Sequence, residues 1–351
     1  MSTPSRPAQA GLERAGTPAG GPSWLQVVKP APWEVVAVVA VAVLFVWLSL
    51  ADTMAGRLLA PLIGIPESGS PPGFLRDLVT GVMLAVALWL NFALLRFLPF
   101  PFQVGIFWIE LLLLFAAFVN SFDRDLGVWF ERGRSGETNL AFLITTGAVT
   151  TIYVSLASIA VACVLAMAAA LGKLSRSGPG YAISTFYISF FRGTPLLLQV
   201  YLIYLGLPQL GPEFAISAVP SGILALSLCY GAYMAEIFRA GISGVPQGQR
   251  EAAMALGLWH SIIFRKIVFP QAMRLIVPPT GNQFIAMLKD SSLVSVMGVW
   301  ELTKSAQVIG RRDFTVLEML IAAAIIYWIM SICFEMVQTR IEAYYGKGDR
   351  R

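Results

Sequence analysis

The chain has 351 residues, of which 57% are apolar and only 13% charged, with a net charge of +5 and a mean hydropathy of +0.71. A soluble domain carries about 25% charged residues, so a pair of soluble domains is excluded, and so are a disordered chain, a coiled coil and a disulfide scaffold. The cysteines Cys163, Cys229 and Cys333 lie in apolar runs, and His260 is the sole histidine, which removes Cys/His metal clusters from consideration. The remaining class is an all-α, polytopic membrane protein.

Residues 1–30 are rich in Pro, Gly, Ser, Thr and Ala and read as a disordered cytoplasmic tail. Val35–Ala51 is an uncharged run long enough to span the hydrocarbon core. A cleaved signal peptide competes with that reading, but the tail before it is long and weakly basic. Leu78–Leu95 and Phe102–Val119 are the next two spans, the latter carrying Glu110, which is expected to pair with another helix. Residues 120–145 form a mixed-charge outer loop. The uncharged stretch 141–172 starts with Thr145, Thr146, Thr150 and Thr151, which places the start of the fourth helix near Ala148. The fifth helix is expected over 181–206 and the sixth over 217–238. A broken apolar stretch at 275–300 contains Pro278, Pro279, Gly281, Asn282, Lys289 and Asp290, and Glu318–Phe334 is the last span. The total is about eight transmembrane helices. With the N-terminus in the cytoplasm, the cytoplasmic connections hold fifteen Lys and Arg residues and the outer ones eight, which places both termini inside. Lys304, Arg311 and Arg312 oppose this locally. The domains that follow are a tail (1–30), three extra helices with an outer loop (31–140) and a core (141–345).

The cytoplasmic connection 239–274 is unlike a flexible loop. Ala252, Leu256, Trp259, Ile263 and Ile267 recur at the spacing of one helix face. Gly257 divides the segment into two short helices, and Pro270 is expected to close the second. Such a hairpin has three readings: it lies on lipid, it packs on the protein's own helix ends, or it fits a groove on a cytoplasmic partner.

Ionisable and polar groups at membrane depth are functional candidates. Arg192 and Thr194 sit at a Gly-Thr-Pro bend, with Gln199 two turns further along the same face. Arg192 either attracts a carboxylate or snorkels to the interface. Glu236 either pairs with Arg239 or meets a substrate's ammonium group. Asn282 and Lys289 lie in the broken stretch, which is either part of a pathway or a loop at the membrane edge.

Several motifs point to a family. Glu251-Ala252-Ala253, Gly257, Ile267 and Pro270 resemble the EAA motif of bacterial ABC importer permeases, with Phe269 where Leu is usual. Phe191-Arg192-Gly193-Thr194-Pro195-Leu196-Leu197 with Gln199 resembles a stretch of the polar amino acid subfamily. So do Tyr233, Ala235-Glu236-Ile237 and Arg239 before the EAA segment, and Gln271, Ala272, Arg274, Asn282, Lys289, Ser291, Ser292 and Leu293 after it. The resemblance covers about residues 145–345 and implies a five-helix type I importer core. The length and the extra N-terminal helices resemble the general L-amino-acid permeases of proteobacteria, in which two related permease subunits pair.

The resemblance implies that residues 244–270 form coupling helices that dock on a dimeric ABC ATPase, with Glu251, Ala252, Ala253, Leu256, Gly257, Ile267 and Pro270 as the coupling residues. Arg192, Thr194, Gln199, Glu236, Asn282 and Lys289 are the candidates for the substrate pathway. The chain has no Walker A sequence, since Gly172-Lys173 runs into Leu174 without the upstream glycine. No cofactor is therefore expected on this chain, and ATP and Mg are expected on the partner. Further implied partners are a second, related permease subunit, a periplasmic amino-acid-binding protein, an amino acid substrate and membrane lipid, with no nucleic acid. The implied location is the bacterial inner membrane. An ion-coupled secondary transporter would also suit the intramembrane charges but leaves the EAA segment unexplained. An intramembrane enzyme lacks both an HExxH sequence and a histidine at membrane depth.

Overall fold

A computed structural model describes residues 36, 39–40, 43, 86, 89–95, 97–120, 126–133 and 136–345. The chain divides into two compact units, residues 1–124 and 125–351. The first two expected spans and the N-terminal tail lie largely or wholly outside the described residues.

In the first unit, α1 (Phe100–Asn120) is the expected third span. Its Glu110 accepts a hydrogen bond from Asn91 Nδ2 at 2.8 Å, so the acid is paired with a neighbouring helical residue as the sequence led us to expect.

The second unit is helical throughout, apart from an isolated bridge between Arg132 and Thr138. Its first long helix, α2, runs over Asn139–Leu174. It starts nine residues before the expected Ala148, capped by Thr138, whose Oγ1 accepts from Ala141 N at 3.2 Å. The threonines do not delay it because they are absorbed by the helix itself. Thr151 Oγ1 donates back to Gly147 O at 3.0 Å and accepts from Leu302 N at 3.1 Å. A wide π turn over Leu143–Ala148 interrupts the regular winding.

The expected fifth span is two helices, α3 (Gly178–Gly193) and α4 (Leu196–Leu210), bent by 108°. Pro195 explains the break, since it supplies no N–H and pushes Thr194 into an extended conformation. Helix α5 (Ala218–Ser243) follows. Helix α6 (Gln247–Ala255) and the single turn α7 (His260–Ile263) lead through a π turn at Phe264–Val268 into α8 (Phe269–Asp290). One expectation fails here, and the break expected within 275–300 comes later than its prolines, after Asp290. Pro270 closes nothing, because the wide turn before it removes the need for its missing N–H. The stretch beginning at 275 is not broken at Pro278-Pro279. Gln338 Nε2 donates to Pro278 O at 2.7 Å and Thr280 Oγ1 to Ile276 O at 2.7 Å, so side chains take up carbonyls around the prolines. The winding tightens only at Ser291–Met297.

The polar connection 301–315 is a helix, α9 (Leu302–Asp313), and α10 (Val316–Tyr345) ends the described chain. Among the described residues, three helices (α2, α5 and α10) are long and apolar enough to cross a membrane, and four counting the bent pair. This is a polytopic all-α architecture. Helices α2 and α5 pack closely through small residues: Ala162, Ala166 and Ala170 are fully buried on one, Ala225 and Ala232 on the other. A Cβ on Gly231 would stand 3.4 Å from Ala162 O. Between membrane helices there is little hydrophobic driving force, so close van der Waals approach and interhelical hydrogen bonds supply the association. Ser227 Oγ, donating to Ser158 O at 3.1 Å, is one such bond.

Candidate functional site

The coupling segment begins where α5 ends. Pro246 introduces α6, and a left-handed turn at Gly257 (φ 74°) closes it. Gly257 N donates to Met254 O at 2.9 Å, and Leu258 N to Ala253 O at 3.2 Å. A residue with a Cβ is strained at this φ, although no atom lies within 4 Å of where that Cβ would stand. Trp259 is extended, and α7 restarts at His260.

Because the axis changes at Gly257, the expected single face from Ala252 to Ile267 does not exist. The buried residues are Ala253, Ile263 and Val268, with Leu258, Phe264 and Ile267 partly buried against them. Ala252 points outward, and Leu256 and Trp259 are 79% and 78% exposed. Glu251 is exposed and accepts from Gln247 Nε2 at 2.8 Å. Pro270 is exposed as well. The hairpin thus packs on its own chain with one side and presents a small-residue and aromatic knob on the other.

The six pathway candidates do not converge on one point. Thr194 and Gln199 meet at the bend. Gln199 is buried, and its Nε2 donates to Phe191 O at 2.9 Å, Thr194 O at 3.1 Å and Thr194 Oγ1 at 2.9 Å. It caps the broken end of α3, so Arg192 and Gln199 do not share a helix face. Arg192 lies over the Tyr233 ring, 5.3 Å from its centroid, a cation–π contact. Glu236 is held between Arg239, whose Nε is 2.8 Å away, and Lys173. Asn282 and Lys289 are exposed.

Three groups escaped the sequence reading. Lys173 completes the Glu236 bridge from α2. Tyr230, buried on α5, donates to Asp290 Oδ2 at 2.7 Å; the partners are 60 residues apart, and no local spacing signals them. Glu301 is fully buried and caps α9, accepting from Thr303 N at 2.8 Å, Lys304 N at 2.6 Å and Tyr327 Oη at 2.8 Å. Burial pushes its carboxyl above the usual range, against the opposing pull of those backbone N–H groups. An acid just before a helical run was the available signal. Arg312, one of the cations that opposed the expected topology, is neutralised by Asp313, with Nε 2.6 Å from Oδ1. Among the described residues no group of three or more His, Cys, Asp or Glu could hold a metal ion.

A bent pair of helices, a small-residue helix core and an exposed helical knob after α5 mark a polytopic helical membrane protein. Residues 162–345 match the family described as binding-protein-dependent transport system inner membrane component, and the chain belongs to that family. It is therefore a multi-pass inner membrane protein of the ABC permease class. A probable amino-acid permease, YxeN of Bacillus subtilis, is 41% identical over 168 residues, covering 48% of this chain and 75% of the relative. The L-cystine transport system permease TcyB of the same organism is 38% identical, covering 57% and 85%. A solved amino acid ABC transporter superposes with a TM-score of 0.54 at 37% identity, covering 58% of this chain and 94% of that one.

Proposed function

We propose that this chain is the permease subunit of an ATP-driven, binding-protein-dependent amino acid importer that works by alternating access. The observation that carries the reading is the exposed knob around Leu256 and Trp259, set on the EAA residues Glu251, Ala252 and Ala253 within a chain of the ABC permease family. Large apolar side chains left exposed on the short helical connection after α5 call for a partner surface. The partner is a dimeric ABC ATPase that binds ATP and Mg; this chain binds neither. Glu251 accepts hydrogen bonds from that partner, Ala252 lets its surface approach, and Gly257 fixes the angle between the two short helices. Ile267 and Pro270 continue the motion into α8. Both termini are cytoplasmic.

A periplasmic binding protein delivers the amino acid to the outer face, and a second permease subunit, related but distinct, completes the pathway. Arg192, Thr194, Gln199, Glu236, Asn282 and Lys289 belong to that pathway, with Gln199 and Thr194 holding the bend at which it opens. The named relatives support an amino acid as the substrate class. The energetic bias between inward- and outward-facing states comes from ATP and the docked binding protein.

The test is gentle purification of the tagged chain from its native membrane, alongside Gly257→Asp. The expected result is an ABC ATPase and a second permease with the parent chain, and loss of both ATPase and uptake with the variant, whose folding despite the strain of a side chain at this φ is verified by thermal unfolding. Undiminished uptake and co-purification in Gly257→Asp would sink the coupling role. Recovery of this chain alone, with uptake driven by an ion gradient, would favour a secondary transporter instead.

A further inference from the structure

Beneath the coupling segment lies a cavity of about 360 Å³. Its apolar wall includes Leu171 and Leu174 from the last turn of α2, with Ile263 and Phe264 opposite; its polar lining is Arg250, His260 and Ser175. No Asp or Glu lines it. Arg250 Nη2 donates to Ile242 O at 2.5 Å, but its Nε is buried and has no acceptor. A buried cationic N–H without an acceptor is among the more costly defects a fold can carry. The cavity beside it has room for one. Lys173, beside the lining residue Leu174, is the first charged residue after the uncharged run 141–172, so the end of α2 marks the boundary where hydrocarbon gives way to headgroups. Arg176, Arg265 and Lys266, all exposed, stand within a few residues of the lining and give the surroundings a positive field.

We propose that this cavity binds a phosphate-bearing anion, its oxygens on Arg250 and His260 and any acyl portion along Leu171, Leu174 and Phe264. The site on the cytoplasmic side follows from the importer reading above; the binding itself does not. Two sources supply this chemistry, the headgroup of an anionic phospholipid and a free phosphate in the cytoplasm. Occupancy would brace α7 against the end of α2 and so link what fills the cavity to the stiffness of the coupling hairpin. None of the three polar lining residues belongs to the coupling set.

The experiment measures phospholipid retained by the purified assembly, by native mass spectrometry, for the parent chain, Arg250→Gln and Leu174→Trp. The Trp variant fills the cavity while leaving the charge in place. Thermal unfolding verifies that each variant is folded. If the source is lipid, phosphatidylglycerol is retained by the parent and falls about tenfold in Arg250→Gln, the loss expected of one charged hydrogen bond, and Leu174→Trp loses it too. If the source is soluble, inorganic phosphate raises the unfolding temperature of the parent and of neither variant, with no lipid retained. Equal lipid retention in all three proteins with no response to phosphate would overturn the proposal, leaving the cavity to water. Lipid or phosphate binding is read without an ATPase or a transport assay. A chain that recruits no ATPase yet shows the Arg250-dependent signal would therefore fail the importer reading and keep this one.

Discussion

The α2–α5 core and the coupling hairpin are made from similar residue types and put them to opposite uses. In the core, Ala162, Ala166, Ala225 and Leu226 are wholly buried, and smallness serves close approach within one chain. In the hairpin, Ala252 faces outward, and Leu256 and Trp259 stand more than three-quarters exposed. Smallness there leaves room for a surface the chain does not itself supply. Hydrophobicity alone does not separate the two regions. What does is whether the helix is long enough to pack along its length. A 26-residue α5 finds partners along its whole length, while the nine residues of α6 end at a left-handed glycine before they can.

The largest expected effect breaks the core side of this contrast. A Cβ on Gly147 would stand 2.9 Å from Leu302 Cα, a backbone atom that cannot swing away. Gly147→Val should destabilise the protein by about 3 kcal/mol, read by thermal unfolding in detergent; an unchanged transition would mean α2 and α9 do not meet there. Leu256→Ala or Trp259→Ala should do the reverse. Stability should change by less than about 0.5 kcal/mol, as for a surface position, while ATPase binding weakens by about 2 kcal/mol, as for an interface anchor. A variant that unfolds while keeping its affinity for the ATPase would show the knob to be part of the chain's own core.

The effect of Glu301 at the start of α9 is a slope rather than a step. Its folded value lies above the ordinary 4.5 because burial favours the neutral acid. The stability it contributes is therefore fully present below that value and is lost as pH rises through the folded one. Glu301→Gln should flatten this fall in unfolding temperature as pH rises above 4.5. An identical slope in the variant would assign it to another group.

How much of this was legible follows from the range of each interaction. Helix existence was readable because apolar runs are local, and the EAA segment because its residues are close in sequence. Helix starts were misjudged where side chains serve their own backbone, as Thr151 does on Gly147. The prolines misled about where helices break. Pro278-Pro279 is rescued by Gln338, 60 residues away, and Pro270 by a wide turn that no composition signals. The bend was legible in Gly193-Thr194-Pro195, but its angle goes with Gln199 folding back to cap α3. The periodicity from Ala252 to Ile267 was arithmetically present and physically empty, since a helical period has meaning only along one unbroken axis. The Tyr230–Asp290 and Lys173–Glu236 pairs needed the packed fold to appear at all.

Lys173–Glu236 joins α2 to α5 at the edge of the core nearest the hairpin and gives the smallest effect. Lys173→Ala leaves Glu236 its second partner, Arg239, so the loss should be about 0.5 kcal/mol, in the range of a partly exposed pair. Glu236→Ala should cost more, because two cations then face each other without an acid between them. Transport kinetics separate the two roles open to Glu236. If it is a bridge, Glu236→Gln and Lys173→Ala shift stability in the same direction and leave the apparent affinity for the amino acid alone. If Glu236 also meets the substrate's ammonium group, Glu236→Gln raises KM while Lys173→Ala, which leaves the carboxylate only Arg239 as a partner, lowers it. Opposite movements of KM in the two variants would move Glu236 from the packing of the core into the pathway, and would make the bridge to Lys173 a competitor of the substrate.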